Sequence, residues 1–225
     1  MPHRIALVGG TGPEGRGLAA RFALAGHEVI LGSREGARAQ AVAGELTELL
    51  AAAGSGAVVT GAANADAVAG CDVAIIVVPY EAQRPTLEAL ADALAGKVVI
   101  DAVVPVRFER GPRPVEVPEG SATEQAAALL PASRVVGAFH NLAADALLAL
   151  SEPVDADVLI TAGDAEAKAL VSALAEQIEG VRAVDAGPLR FSRFVEGLTV
   201  LLIGINGRYK AHSAVRVTGL PGAAS

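Results

Sequence analysis

Short apolar, β-rich runs alternate with Ala/Leu-rich helical stretches, and this alternation constrains the fold more than any other feature of the chain. The runs RIALV, EVIL, AVVT, VAIIVV, KVVID and RVVGAF are separated by helical segments near 14–25, 36–53, 63–69, 82–95 and 123–130. Strands that are apolar almost throughout must be covered on both faces, and helices between consecutive strands supply that cover. The expectation is an α/β chain with a Rossmann-like doubly wound parallel sheet over residues 1–150. Beyond it come DVLIT, the helical AEAKALVSALAEQI, VRAVDAG and a last helix near 190–210, which predict a smaller C-terminal α/β domain over 151–225. No repeat of solenoid period is present.

Two segments carry further expectations. Residues 101–122, DAVVPVRFERGPRPVEVPEGSA, hold four prolines, which deny them a helix or a central strand position. Such an insert is either a functional loop or a surface wrap. In the last helix Phe194, Leu198, Leu201 and Ile205 follow three-four spacing and predict one buried stripe, flanked by Phe191, Val195 and Leu202. Gly197 and Gly204 cost helix propensity there, which predicts the close approach of another backbone, within the domain or across a dimer. The closing VTGLPGAAS reads as a frayed tail.

A strand leads into the glycine-dense LVGGTGPEGRGLA and a helix leaves it. Gly10-Thr11-Gly12-Pro13-Glu14-Gly15 fits G-x-G-x-x-G in that context. Gly10 suits the tight turn, Gly12 the approach of a pyrophosphate, and Gly15 the packing of helix on strand. Free N–H groups at the helix start then face the diphosphate. The second strand ends in Gly32-Ser33-Arg34, where an NAD enzyme would carry an acidic residue for the ribose. A hydroxyl at Ser33 and guanidinium groups at Arg34 and Arg38 instead suit a 2′-phosphate. Glu35 lies at the next helix start, where a carboxylate is expected to cap. The reading is NADP.

Composition excludes other classes. The 225 residues carry a net charge of −7, which disfavours a nucleic-acid partner. AIIVV and LTVLLIGI fall far short of a membrane span, so no membrane partner is expected. The single cysteine, Cys71, allows no intramolecular disulfide and reads as a buried thiol in a cytoplasmic enzyme. A mean hydropathy of +0.45 predicts apolar surface buried between subunits.

Ligands in such sheets bind beyond the carboxyl ends of the strands, here Val78-Pro79-Tyr80, Val104-Pro105-Val106 and Phe139-His140-Asn141-Leu142. These offer apolar walls, one phenol and one imidazole, with no carboxylate cluster and no metal-ligand spacing. Of the histidines, only His140 is expected there; His3 and His212 lie near the termini and His27 follows a helix-ending glycine. A structural imidazole and a functional one both satisfy that position. Apolar walls with few acid–base groups suit hydride transfer between two cofactors, whose reactive carbons both belong to ligands.

GGTGPEGRGLA, AGHEVILGSR, CDVAIIVVPYE, the VVPV of 103–106 and DAGPLRFSRFVEGLT at 185–199 together resemble the F420-dependent NADP reductases over about residues 4–205. The resemblance implies reversible hydride transfer, without a metal, between NADP(H) and the deazaflavin coenzyme F420. It places NADP against Thr11, Gly12, Pro13 and Glu14, its 2′-phosphate against Ser33, Arg34 and Arg38, and its nicotinamide near Val78, Tyr80, Val106 and Ala144. It places the deazaflavin beside Pro105, His140 and Leu142, with His140 as a positioning group. It implies a homodimer whose C-terminal part closes the cleft. Asn141 and Ala143 depart from the threonine and proline common in the family, and 107–120 resembles nothing in it. Alternative readings are an NADP(H)-binding redox sensor and a short-chain or NmrA-like reductase. Against the latter, Tyr80 is followed by Arg84 where a Tyr-x-x-x-Lys pair needs lysine, and Tyr209 has no such partner. Lys97, Lys168 and Lys210 offer no evident catalytic amine for a β-hydroxyacid dehydrogenase.

Overall fold

The computed structural model describes residues 2–220. Among these residues eight strands form one sheet: β10 (Val181–Gly187) and β9 (Ala156–Ala162) at one end, followed by β8-β5-β4-β1-β2-β3. Its central six are β1 (Arg4–Val8), β2 (Glu28–Ser33), β3 (Val59–Ala63), β4 (Val73–Ile76), β5 (Val98–Asp101) and β8 (Arg134–Gly137), all parallel to their neighbours among these six. The chain starts in the middle, winds outward to β3, then returns past β1 to β4, so the direction of winding reverses between β1 and β4. That reversal opens a crevice at the strands' carboxyl ends.

The apolar runs are strands for the expected reason. Ile5, Leu7 and Ile75 face one core layer while Ala6, Val8 and Ile76 face the other, so every position in β1 after Arg4 is buried. Helices α1 (Pro13–Leu24) and α2 (Gly36–Ala52) cover the first face. The other is covered by α3 (Asn64–Ala69), α4 (Tyr80–Leu94) and α5 (Ala122–Leu129). Helix α5 is capped by Ser121, whose Oγ accepts from the Glu124 N–H at 3.0 Å and donates to the Glu124 carboxylate at 2.9 Å.

The two strands after residue 150 extend this same sheet. β9 (Ala156–Ala162) pairs antiparallel with β8, and β10 (Val181–Gly187) runs parallel to β9, with α7 (Ala165–Ala175) between them. Residues 106–114 form a small hairpin, β6 (Val106–Phe108) with β7 (Pro112–Pro114), separate from the main sheet. The prolines therefore sit where no interior ladder is needed.

Helix α8 (Ser192–Tyr209) corrects the expected stripe. Phe194 and Leu201 are 69% and 59% exposed, and the buried side is Ser192, Val195, Glu196, Val200 and Leu202. Polar side chains turn this helix: Ser192 bonds Thr161 at 2.6 Å and Glu196 receives two backbone N–H groups of α5. A count of apolar residues cannot register that. Nor, among the described residues, does another backbone approach Gly197 or Gly204; an added Cβ at Gly197 meets nothing within 4 Å. Part of the expected frayed tail is tied down, since the Val217 N–H donates to Asp157 at 2.6 Å; its last five residues lie outside the described range.

Candidate active site

The glycine loop is built by crowding on one side and openness on the other. Gly9, at φ +73°, makes the turn that was expected of Gly10, and its N–H donates to Asn64 Oδ1 at 3.2 Å. Gly10 is a glycine for a different reason: a Cβ there would stand 2.7 Å from that of Leu7. Gly15 packs directly on Gly10, where a Cβ would come within 2.5 Å of its Cα. Gly12 has ordinary backbone angles and nothing within 4 Å of an added Cβ. Its constraint therefore comes from outside the fold. As N-cap of α1 it brings no side chain to the first turn, and Pro13 follows it, so the free N–H groups are left for an anion.

From this loop a cleft of about 870 Å³ runs across the crevice to α8, within the size range of small-molecule sites. Of the expected dinucleotide residues, Thr11, Gly12, Pro13, Glu14, Gly15, Ser33, Arg34, Arg38, Val78, Val106 and Ala144 line it. Gly10 lies beneath the loop. Tyr80 begins α4 off the cleft wall, and Pro105 is buried behind it with its carbonyl accepting from the Val115 N–H at 2.8 Å. His140 and Leu142 line the opposite end.

Charge is arranged for a phosphorylated ligand. Arg34 and Arg38 are exposed and have no ion-pair partner among the described residues. Ser33 Oγ accepts from the Glu35 N–H at 3.3 Å, and the Glu35 side chain does not cap α2 as expected. Glu14 Oε1 is buried without a partner, and burial pushes this carboxyl up to about 8. At neutral pH it therefore adds no negative charge beside a diphosphate. These residues fit a dinucleotide carrying a 2′-phosphate.

The far end depends on one strained residue. Phe139 sits at φ +69°, a left-handed conformation rarely adopted by an aromatic residue. Its ring is held in the core edge-on to Phe22. The turn at Phe139 aims residues 140–142 at the cleft, a strain of about 1–3 kcal/mol stored at the site. Thr199 of α8 fixes the segment, donating to the His140 carbonyl at 2.9 Å. Asn141 Nδ2 donates to the Val195 carbonyl and to Thr199 Oγ1, while its Oδ1 is buried without a partner. His140 is 3% exposed, neither ring nitrogen has a partner among the described residues, and burial lowers its pKa to about 3. It is a neutral imidazole.

Several residues of the site were missed in the sequence. Asn64, Thr86, Phe108, Thr199 and Asn206 line the cleft, as does His212, which pairs with Asp145 at 3.1 Å. His140 is thus not the only histidine there. Position near a terminus hid His212, because the chain after α8 folds back over the site. The expected lack of a carboxylate cluster is also corrected: Asp101 and Glu196 meet His140 behind the wall. Cys71 is buried, as its apolar run predicted.

Comparison with known proteins decides the family. The chain is 44% identical to the F420-dependent NADP reductase of Methanothermobacter thermautotrophicus, over 98% of this chain and 97% of that one. It is 41% identical to the F420-dependent NADP reductase of Methanocaldococcus jannaschii, over 96% and 99%. The chain belongs to the F420-dependent NADP reductase family. The family described as NADP oxidoreductase coenzyme F420-dependent matches residues 4–105, the half that carries the glycine loop. Among solved structures, that of a putative F420-dependent NADP reductase from Arthrobacter sp. superposes with a TM-score of 0.79 at 28% identity, covering 94% of this chain and 97% of the other. A pyrroline-5-carboxylate reductase of Coxiella burnetii shares the fold at 16% identity, TM-score 0.56, over 94% of this chain and 73% of its own.

Proposed function

We propose that this protein transfers a hydride reversibly between NADP(H) and the deazaflavin coenzyme F420. The observation that carries the reading is the single cleft joining a diphosphate loop and two free guanidinium groups to the apolar segment at His140–Leu142. NADP is held by the Gly12 end of α1 and by Ser33, Arg34 and Arg38. The deazaflavin lies between the Val104–Val106 wall, Leu142 and α8, with the unpartnered Asn141 Oδ1 free to accept a ring or amide N–H. Nicotinamide and deazaflavin supply the chemistry between their own carbons; the chain excludes water and fixes two ring planes at attack distance.

In this reading residues 151–225 form the smaller unit that closes the cleft, and α8 serves both site and partner. Phe194 and Leu201, exposed beside the apolar groove between Phe191 and Leu198, support a homodimer through that face. A lone buried thiol supports a reducing, cytoplasmic setting. The test is direct: mixing the purified protein with NADPH and oxidised deazaflavin should bleach the deazaflavin absorbance. Binding of NADPH with no bleaching would instead identify a sensor.

A further inference from the structure

Three titratable side chains are packed together behind the cleft wall. Asp101 ends β5, Glu196 lies in α8 and His140 follows β8. One carboxylate oxygen of each acid and one ring nitrogen of His140 lie within 4.8 Å of one another, and none of the three residues is more than 3% exposed. Only His140 reaches the cleft.

The hydrogen bonds around the two carboxyl groups leave one hydrogen to be supplied between them. Glu196 accepts from the Ala122 N–H at 2.9 Å and from the Thr123 N–H at 3.0 Å, the first two amides of α5, where the helix dipole favours an anion. Asp101 Oδ1 accepts from Gln83 Nε2 at 2.7 Å, and the single backbone N–H of Val103 also acts on this carboxyl. The Gln83 amide cannot be turned over, because its Oε1 accepts from Gln125 Nε2 at 2.6 Å and its Nε2 also donates to the Ala122 carbonyl. Between the carboxyl groups stands the Thr123 hydroxyl, 2.9 Å from Glu196 Oε1 and 3.3 Å from Asp101 Oδ2. A hydroxyl has one hydrogen to donate. Glu196, surrounded by N–H donors, is the anion and takes it. A hydrogen on Asp101 Oδ2 then turns the other contact into a hydrogen bond.

We propose that Asp101 and Glu196 hold one proton between them at neutral pH, seated on Asp101 Oδ2 and hydrogen-bonded to Thr123, and that this pair is the proton store for the reaction in the cleft, with His140 as its outlet. Burial and the negative charge of Glu196 both push the Asp101 carboxyl well above its ordinary range. Burial raises the Glu196 carboxyl as well, but against it stand the Thr123 and Ala122 N–H groups and the Thr123 hydroxyl. The remaining charged groups nearby offset one another: Glu124 repels Glu196 but pairs with Arg193 at 3.1 Å, and on α4 Arg84 is engaged by Glu119. Tyr80, Thr161 and Ser192 add no charge. A cation in place of the proton would require both carboxylates ionised, leaving Thr123 Oγ1 and Asp101 Oδ2 in contact without a hydrogen.

The role in the cleft rests on the proposed reaction, and its balance calls for such a group. Reduction of a deazaflavin by NADPH moves a hydrogen with its electron pair from carbon to carbon, and the pair displaced onto a ring nitrogen takes up one proton. Both nitrogens of the neutral His140 are buried and unpartnered among the described residues, so passage of the proton requires the ring to turn, bringing its N–H to the cleft and its bare nitrogen to Asp101. Two carboxylates then remain, and uptake from solvent restores the store.

The ligand-free protein tests the shared proton. With labelled aspartate, its infrared spectrum at neutral pH should show a protonated-carboxyl band that Asp101→Asn removes. Asp101→Asn should keep the melting temperature within a few degrees, because its amide donates to Thr123 and accepts from Gln83. Glu196→Gln puts an NH2 group against a backbone N–H and should lower the melting temperature by roughly 5 °C. A wild-type spectrum without the band, the opposite order of stabilities, or zinc retained by the purified protein would overturn the proposal. In single turnover Asp101→Asn should slow hydride transfer at least tenfold, with NADP affinity unchanged and partial rescue by acetic acid. An unchanged rate would overturn the role as store. If the wild type reduces no deazaflavin, the functional reading fails and the infrared result still decides the shared proton.

Discussion

Arg34 and Gly12 separate what a residue does for the ligand from what it does for the fold. Arg34 is exposed and engages no carboxylate, so Arg34→Ala removes nothing from the folded protein. It should weaken NADP binding by about 1.5–3 kcal/mol and leave NAD binding nearly unchanged, a difference that paired fluorescence titrations would measure. Equal losses would remove the 2′-phosphate from this position. Gly12→Val should leave the melting temperature close to wild type and abolish dinucleotide binding, since its side chain enters space that is open in the protein. Gly10→Val and Gly15→Val should instead unfold the protein or lower its melting temperature sharply, because Leu7 and Gly10 already occupy that space. Four variants in one thermal-shift and binding series would decide the matter; a Gly12→Val protein that binds NADP normally would refute the loop assignment.

At the scale of elements, the short helix α6 (Ala144–Leu148) presents Ala144 to the cleft and is held by a single buried side chain. Arg21 of α1 donates to the carbonyls of Leu147, Ala146, Ala149 and Glu152 at 2.8–3.0 Å, satisfying the end of that helix. Gly17 lets the two helices touch, as a Cβ there would lie 2.5 Å from that of Leu147. Arg21→Met should cost about 3–5 kcal/mol and weaken NADP through α6 without touching it; a denaturant midpoint and an NADP titration on the same variant would show both. The strands and long helices of the first 140 residues were legible because their apolar periodicity is the same property that buries them. The dinucleotide half of the site was legible because its signal is local, within residues 9–38. The opposite end was not. It depends on a left-handed Phe139, on Thr199 reaching back to His140, and on Asp101, His140 and Glu196 converging from three elements. No spacing rule encodes such contacts. Helix α8 was misread for a related reason: buried Ser192 and Glu196 turn it by hydrogen bonds, which outweigh two phenylalanines and a leucine left toward solvent or a partner.

For the whole molecule, the surface around Phe194 and Leu201 predicts association. Phe194→Glu with Leu201→Glu should convert a dimer to a monomer in light scattering, and a wild-type protein already monomeric at micromolar concentration would refute that face. Acid stability has one identifiable contributor. Burial raises the Asp157 carboxyl, but bonds from Arg182, the Val217 N–H and Arg216 outweigh it and hold the carboxyl at about 2. A folded-state value below the ordinary ~3.9 stabilises the protein above that pH, and the contribution is lost as pH falls from about 4 to 2. Asp157→Asn should therefore flatten the loss of stability over that interval by about 2 kcal/mol, read from denaturant midpoints against pH. The same anchor bears on synthesis. Chains emerge from the ribosome at about 5–20 residues per second and fold from the N-terminus, so the glycine loop and six parallel strands are complete while His212, Ser213 and Arg216 are still unmade. During those seconds the nascent chain presents half a cleft and an unpaired β8 edge; β9 closes the edge, and the return of residues 215–217 to Asp157 then brings His212 and Ser213 over the cleft.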